Sequence, residues 1–425
     1  MPAAPAAVTR LVMSSTTSPS YRALLAVPGF SRLVGSALLS RISSQMTLLL
    51  YVLFVLDRWH SPVLSGTVVL VAIIPGLLVS PIAGAILDRG ARVPLIVLDF
   101  AVSAGSLVLV VVLGSTGVLQ PWLLTLIVGI ASLTLPLSNS GTRSLFPLIV
   151  PRTMWDRANA LDSGAYVVAT VVGPGLAGVI VALIGSTHAL LVPAVTWTCA
   201  ALLLLGMHIA APDNASRGSL LGDAWSGLMY VLCNRGLRGL AVTISLSNMG
   251  AGAITVALPV LVLTRLHGGS SEVGALFAVM GAAGIVAGLL CGRIDSEGRE
   301  RELMIIGCAV SVAALLILAL SSSLLLAAVG MAVFGLSNGP LDIGLFSLRQ
   351  RVTDPAWFGR AFAVSMSLNF LGYPLGSAIA GPVVTHSVTA AFALGASLVA
   401  LSILAALLML GPPRARALVG SQRST

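Results

Sequence analysis

Long apolar stretches follow one another along nearly the whole chain, parted by short polar breaks. Twelve can be drawn, at about 31–56, 62–87, 94–114, 120–143, 159–184, 187–210, 239–264, 271–291, 303–320, 324–348, 361–385 and 388–411. Each approaches the roughly 20 residues a helix needs to cross about 30 Å of hydrocarbon. Runs of this length predict α-helices and not the ten-residue alternating segments of a membrane β-barrel. The longest internal break, 211–238, divides the spans into six and six. The pattern therefore predicts an all-α membrane protein of two six-helix bundles, 30–210 and 239–411, joined by a linker at 211–238. Within the linker, Leu220 to Leu232 is weakly amphipathic, with Trp225, Leu228 and Met229 on one side. That suits a helix lying on the membrane surface. Residues 1–29, rich in Ala, Pro, Ser and Thr, are expected to be disordered, and 412–425 to form a short tail.

The halves carry a repeat. Ser138-Asn139 recurs as Ser337-Asn338, an offset of 199, and Pro174 recurs as Pro374, an offset of 200. An arginine-containing polar stretch lies between the landmarks in both copies. Duplicated halves predict pseudo-symmetry and a binding site near the bilayer midplane between them.

Composition agrees. The chain is 57% hydrophobic and only 9% charged, against about a quarter charged residues in soluble domains. Its mean hydropathy is +1.03. The net charge of +9 raises nucleic acid as a partner, but its distribution argues against it. Every basic residue is arginine, and 20 of the 23 fall at the N-terminus, the C-terminal tail or the alternate loops that share their side of the membrane. Only Arg58 and Arg265 fall on the other side, and Arg41 lies inside the first span. Basic loops stay in the cytoplasm, so both termini are expected there, in an inner (plasma) membrane. The stretch before the first span lacks the short apolar core and cleavage site of a signal peptide. The cysteines, Cys199, Cys233, Cys291 and Cys308, lack metal-ligand spacing and are expected to be free thiols. Four histidines, His60, His188, His267 and His386, fall near short loops, where polar residues are ordinary.

Two motifs carry a family resemblance. Gly84-Ala-Ile-Leu-Asp88-Arg89-Gly90-Ala-Arg92, between the second and third spans, resembles the signature loop of the major facilitator superfamily, with its second glycine displaced. The counterpart near Gly288 to Arg301 is degenerate. Ala169-Thr-Val-Val-Gly173-Pro174-Gly-Leu-Ala177-Gly178, in the fifth span, is similar to that family's antiporter motif, with two glycines replaced by alanine. The wider context, Arg143-Ser-Leu-Phe-Pro147-Leu-Ile-Val-Pro151, Ala158-Asn159-Ala160-Leu161, Gly359-Arg360-Ala-Phe362 and Tyr373-Pro374-Leu-Gly376, resembles the bacterial drug and siderophore exporters, of the macrolide-efflux and enterobactin-exporter kind, over about residues 30–410. The resemblance implies a latch in which Asp88, Arg89 and Arg92 meet the start of the eleventh span near Arg360, and Asp99, early in the third span, is expected to support the loop arginines. It also implies that Gly173, Pro174 and Gly178 serve export, with uptake as the alternative direction.

Ionisable groups at membrane depth are costly and point to function. Asp342 in the tenth span and Arg41 in the first are the clearest, with Arg143 at the end of the fourth. The 199 offset makes Arg143 and Asp342 equivalent positions. Asp342 is expected either to titrate, as proton coupling requires, or to form a static ion pair with Arg41 or Arg143. The exporters often carry an acid in the first span. Here the stretch reads Ser40-Arg41-Ile-Ser43-Ser44-Gln45, with a cation instead. Gln45, Asn139, Asn248, Asn338, Asn369 and Tyr373 are expected either to line a central cavity or to bond between helices.

No phosphate-binding glycine loop and no catalytic constellation appear. The expectation is a secondary-active transporter, not an enzyme, with no cofactor or metal. It would exchange hydrophobic or amphipathic small molecules for protons by alternating access, as a monomer in the lipid bilayer. A membrane sensor that moves nothing is the reading from another class.

Overall fold

The computed structural model describes residues 21–89, 92–207, 220–354 and 357–411. Its helices are α1 (Tyr21–Leu25), α2 (Phe30–Trp59), α3 (Pro62–Arg89), α4 (Arg92–Ser115), α5 (Pro121–Ser132), α6 (Leu135–Ile149), α7 (Trp155–Ala189), α8 (Leu191–Leu204), α9 (Leu220–Cys233), α10 (Arg235–Val260), α11 (Ser270–Cys291), α12 (Glu300–Ala319), α13 (Leu324–Val352), α14 (Phe358–His386) and α15 (Val388–Met409). They build twelve spans. The fourth is α5 and α6 in series across a break at Leu133–Thr134, and the seventh is α10 continued by a π-turn over Leu261–Arg265.

Among the described residues, ten spans are long and apolar enough to cross a membrane unaided. The others have physical explanations. The sixth starts before α8: the chain leaves the helical conformation at Gly185, at φ 80° and ψ 160°, and Ser186–Ala189 run on through Leu190, which is helical in φ and ψ, into the 14 residues of α8. The eleventh, α14, is long but diluted by Ser365, Ser367, Asn369, Tyr373 and Ser377. Such polar positions belong on a helix facing protein rather than lipid.

The halves are copies in fine detail. Val55-Leu56-x-Arg58-x-His60 ends the first span and Val262-Leu263-x-Arg265-x-His267 ends the seventh. Both histidines stop their helices in the left-handed conformation, at φ 48° and 51°.

Two boundaries differ from the sequence expectation. Residues 21–29 are not disordered. α1 is one helical turn that buries Leu24 completely and sets Tyr21 under Arg157, 5.7 Å from its ring centre. Residues 1–20, 208–219 and 412–425 lie outside the described residues. The linker helix is present as α9, but the seventh span begins at Arg235, four residues before the expected 239. Asn234 caps it through Leu237 N–H at 3.1 Å. α9 is docked rather than loose. Tyr230 stacks on Trp357 with ring centres 4.8 Å apart, and its hydroxyl accepts from Asp354 N–H at 3.0 Å.

α9 marks one face of the bundle. The halves meet tightly only toward the opposite face, along two seams of small residues. In the first, α3 lies on α14: a methyl at Gly66 would overlap the Ser377 carbonyl, and one at Gly381 would come 2.7 Å from the Pro62 carbonyl. In the second, α7 lies on α11: a methyl at Gly178 would overlap the Ser270 carbonyl, and one at Gly274 would come 2.9 Å from the Pro174 carbonyl. Small residues let helix backbones touch in this way. Nearer α9, Asn139, Tyr166 and Asp342 stand exposed although they lie inside the spans. Gly84 on α3, Gly164 on α7 and Gly288 on α11 have nothing within 4 Å of an added methyl. Between the halves is thus a cleft that opens at the α9 face and closes at the other.

Candidate functional site

The first span carries a cation where the exporters often carry an acid, and the structure supplies its counterion from α7. Arg41 donates from Nη2 to Asp162 Oδ1 and from Nη1 to the Asp162 carbonyl, both at 2.6 Å. The other carboxylate oxygen, Asp162 Oδ2, faces Arg143 Nε at 3.3 Å. The arginines are not equivalent. Asp162 is buried and the Arg41 side chain only 11% exposed, whereas the Arg143 side chain is 61% exposed and held by one long contact. One carboxylate therefore fixes one arginine firmly and tethers a second loosely on the cleft wall.

Asp342, on α13, is not the partner of either arginine, so a static pair of that kind is not what the structure shows. Its side chain is open to solvent although protein surrounds it at longer range, as befits a cleft wall. Tyr166, one turn along α7 from Asp162, is 43% exposed and lies within the electrostatic reach of Arg41, Arg143, Asp342 and Tyr373. Arg143 and Asp342 are thus brought to one region from opposite halves. Asp162 was missed in the sequence. It directly follows the motif stretch Ala158 to Leu161, which is the signal that could have found it.

The neutral polar residues divide. Asn139 is exposed one turn before Arg143 on the same face of α6, and Gln45 and Asn338 are partly exposed. Tyr373 is held through its hydroxyl to Thr255 at 2.5 Å. Asn248 and Asn369 bond between helices instead. Asn248 donates to the Asn369 carbonyl at 2.8 Å. Asn369, its amide oriented to suit its neighbours, donates to the Ser365 carbonyl at 3.0 Å and accepts from Arg349 Nη2 at 2.5 Å. Arg349 is itself buried, with its guanidinium over Phe346 and Phe362 at 5.5 and 5.0 Å. Interleaved aromatic faces stabilise a cation that has little access to water.

The motif residues of the fifth span play two parts. Gly173 packs within its own half, where a methyl would come 2.7 Å from Gln45 Cβ. Gly178 packs across to α11, and Pro174, which lacks an N–H to donate, lies between them. The side chains of Asp88, Arg89 and Arg360, with Gly90, lie outside the described residues. Arg92 donates to the carbonyls of Leu87 and Ser144 at 3.2 and 3.0 Å, tying the α3–α4 turn to the end of α6. Asp99 does not support these arginines. It is fully buried between α4 and the α5–α6 break, where Oδ1 accepts from the Thr134 hydroxyl at 2.6 Å. In the second half, beside the degenerate loop, Glu300 in the first turn of α12 pairs with Arg351 at the end of α13 at 2.9 Å.

A twelve-span bundle of two pseudo-symmetric halves, with a charged cleft between them, defines a secondary transporter of the major facilitator class. Residues 23–421 match the family described as transmembrane secretion effector, and the chain belongs to that family, in the drug-exporter branch of the superfamily. It is 38% identical over 396 residues to an uncharacterized MFS-type transporter, y4rN, of Sinorhizobium fredii, covering 93% of this chain and 97% of that one. It is 24% identical over 358 residues to the multidrug efflux pump Tap of Mycolicibacterium fortuitum, covering 82% and 87%. Among solved structures, the nucleoside transporter NupG superposes with a TM-score of 0.71 at 14% identity, over 89% of this chain and 97% of that one. A bacterial homologue of the human lysosomal transporter Spinster, inward-facing and unoccupied, gives 0.69 at 15%, over 95% and 100%. These two likenesses are of fold. The chain is a multi-pass membrane transporter and not an enzyme.

Proposed function

We propose that this protein exports hydrophobic or amphipathic small molecules in exchange for protons, working as a monomer in the inner membrane with both termini in the cytoplasm. The observation that carries the reading is the solvent-open carboxylate of Asp342, facing the arginine-bearing wall of the other half across a cleft that opens at one face only. The arginine bias of the loops assigns that face to the cytoplasm. The conformation is then inward-facing, ready to take a substrate from the cell. The latch of Asp88, Arg89, Arg92 and Arg360 belongs to the opposite conformation, in which that face closes. Similarity to an efflux pump supports the direction. Two arginines, Arg41 and Arg143, face two carboxylates, Asp162 and Asp342. A balanced wall of this kind suits neutral or amphipathic substrates better than strongly charged ones. Asn139, Gln45, Asn338 and Tyr373 orient the substrate against apolar surroundings.

Protonation of Asp342 is the coupling event. Its proton affinity depends on whether its surroundings are wet or dry and on whether a cation is near. Alternating access changes both. A panel of neutral, cationic and anionic amphipathic dyes, screened in a strain lacking its own pumps, would supply the probe. In proteoliposomes an imposed pH gradient is expected to drive efflux of the accepted dye, and Asp342→Asn to abolish that dependence. Unchanged coupling in Asp342→Asn would overturn the assignment.

A further inference from the structure

The mechanism just described uses Asp342 but leaves Asp162 as a structural counterion. The geometry gives it more to do. Asp162 spends three contacts unequally: two short ones on Arg41, which cannot leave, and one of 3.3 Å on Arg143, which can. Arg143 and Asp342 occupy equivalent positions in the two halves. Residues related by a pseudo-two-fold axis lie across that axis from each other. No packed seam joins α6 to α13 in the present conformation, so closing the α9 face is what brings them together.

We propose that Asp162 is a positioning residue for proton coupling: it holds Arg143 against the N-terminal half while the α9 face is open, and yields it to Asp342 when that face closes. The inference rests on the reading of Asp342 as the proton site. In the open state Asp342 stands in water and exchanges its proton freely. Closing around a substrate removes that water, and an ionised Asp342 then needs a cation, which Arg143 provides. Protonation from the far side dissolves the Arg143–Asp342 pair, and Asp162 takes Arg143 back as the α9 face reopens.

The charged and titratable groups around this exchange are few. Arg41 on α2, Arg143 on α6 and Asp162 and Tyr166 on α7 face it from one half, and Asp342 on α13 and Tyr373 on α14 from the other. Arg349, two turns along α13 from Asp342, is engaged by Asn369 and the rings of Phe346 and Phe362. On α10, α11 and α12, the neighbours of α13 and α14, the described ionisable groups stand at helix ends, apart from Cys308, which is turned to Ser402 on α15.

The test needs no substrate. Spin labels at Leu148→Cys and Gln350→Cys, at the ends of α6 and α13, report closure of the α9 face in the full chain in nanodiscs. The background replaces Cys199, Cys233 and Cys291 by Ser and Cys308 by Ala. In the parent, raising the pH through a midpoint is expected to increase the short-distance population. Asp162→Asn frees Arg143 for Asp342 and should move the midpoint down by about one pH unit, the size of effect an opposite charge has on a carboxylate. Arg143→Gln should abolish closure on raising the pH, and Arg143→Lys, which keeps the charge, should restore it. These two variants carry the test if Asp162→Asn does not fold. If Asp342→Asn keeps the pH response, the proton-site reading itself falls. If Asp342→Asn abolishes it while Asp162→Asn leaves the midpoint in place or Arg143→Gln still closes, only the exchange is overturned.

Discussion

Replacing Asp162 by alanine is expected to destabilise the folded transporter by about 3–5 kcal/mol, the cost of removing one partner from a buried ion pair. The size follows from what would be left behind. The Arg41 side chain has little access to solvent, and both its short contacts are to Asp162. Without the carboxylate its guanidinium keeps one backbone carbonyl and no counter-charge, at a depth where charge is costly. The mirror variant should be milder. In Arg41→Met the carboxylate still has Arg143 beside it, with water within reach of that side chain. Removing both charges, as Arg41→Met with Asp162→Leu, should recover most of the lost stability, since apolar replacement of a buried pair is often neutral. Thermal unfolding in detergent, followed by the loss of monodisperse protein, ranks the three. Equal losses in the two single variants, or a double variant as weak as Asp162→Ala, would show that the pair is not held as described.

The same ion pair marks where the sequence could be read and where it could not. Helix existence follows from hydropathy because lipid demands a long apolar run that satisfies its own backbone, and nearly every span declared itself in that way. α14 was legible by length despite Ser365, Asn369, Tyr373 and Ser377, whose polar side chains face other helices. The halves were legible through Ser-Asn and Pro landmarks. The stronger repeat, Arg58-x-His60 against Arg265-x-His267, was equally visible but means little until both histidines are seen to end their helices alike. Ion-pair partners were not legible. Arg41 lies 121 residues from Asp162, and nothing in one sequence ranks Asp162 above Asp342 as its acid. The choice is made by tertiary packing, since α2 lies directly on α7 while α13 belongs to the other half. Asn248 and Asn369 illustrate the same limit. An amide in an apolar helix is equally suited to a cavity wall and to a neighbouring carbonyl, and only the packing of α10 on α14 decides for the carbonyl. Asp99 stands early in the third span, where the loop arginines are the nearest cations along the chain, but it is buried in the core and bonds Thr134 instead.

Leucine at Gly178 is expected to stop transport by holding the protein open at the face opposite α9. In the present conformation α7 and α11 touch backbone to backbone there, with Gly178 against Ser270 and Gly274. Even a methyl has no room at this contact, and the opposing atoms are backbone, which cannot turn aside. Overpacking of this kind costs about 1–3 kcal/mol, enough to shift two conformations of similar energy by roughly 5- to 150-fold. The penalty falls on one conformation only, because the seam must part when the opposite face opens, and a two-state equilibrium responds to that difference alone. Two single cysteines in a cysteine-free background separate trapping from misfolding. Val171→Cys sits in the seam against Gly281, and should become reactive to an impermeant maleimide added at the opposite face only when Gly178→Leu is present. Asn139→Cys, on the cleft wall and exposed in this conformation, should lose reactivity from the α9 face in the same variant. Leucine at Gly105, where an added methyl meets nothing within 4 Å, should change neither. A Gly178→Leu protein that folds, transports and keeps the parent labelling pattern would mean that the α7–α11 seam does not part during the cycle. The gate at that face would then have to lie along Gly66 and Ser377 alone.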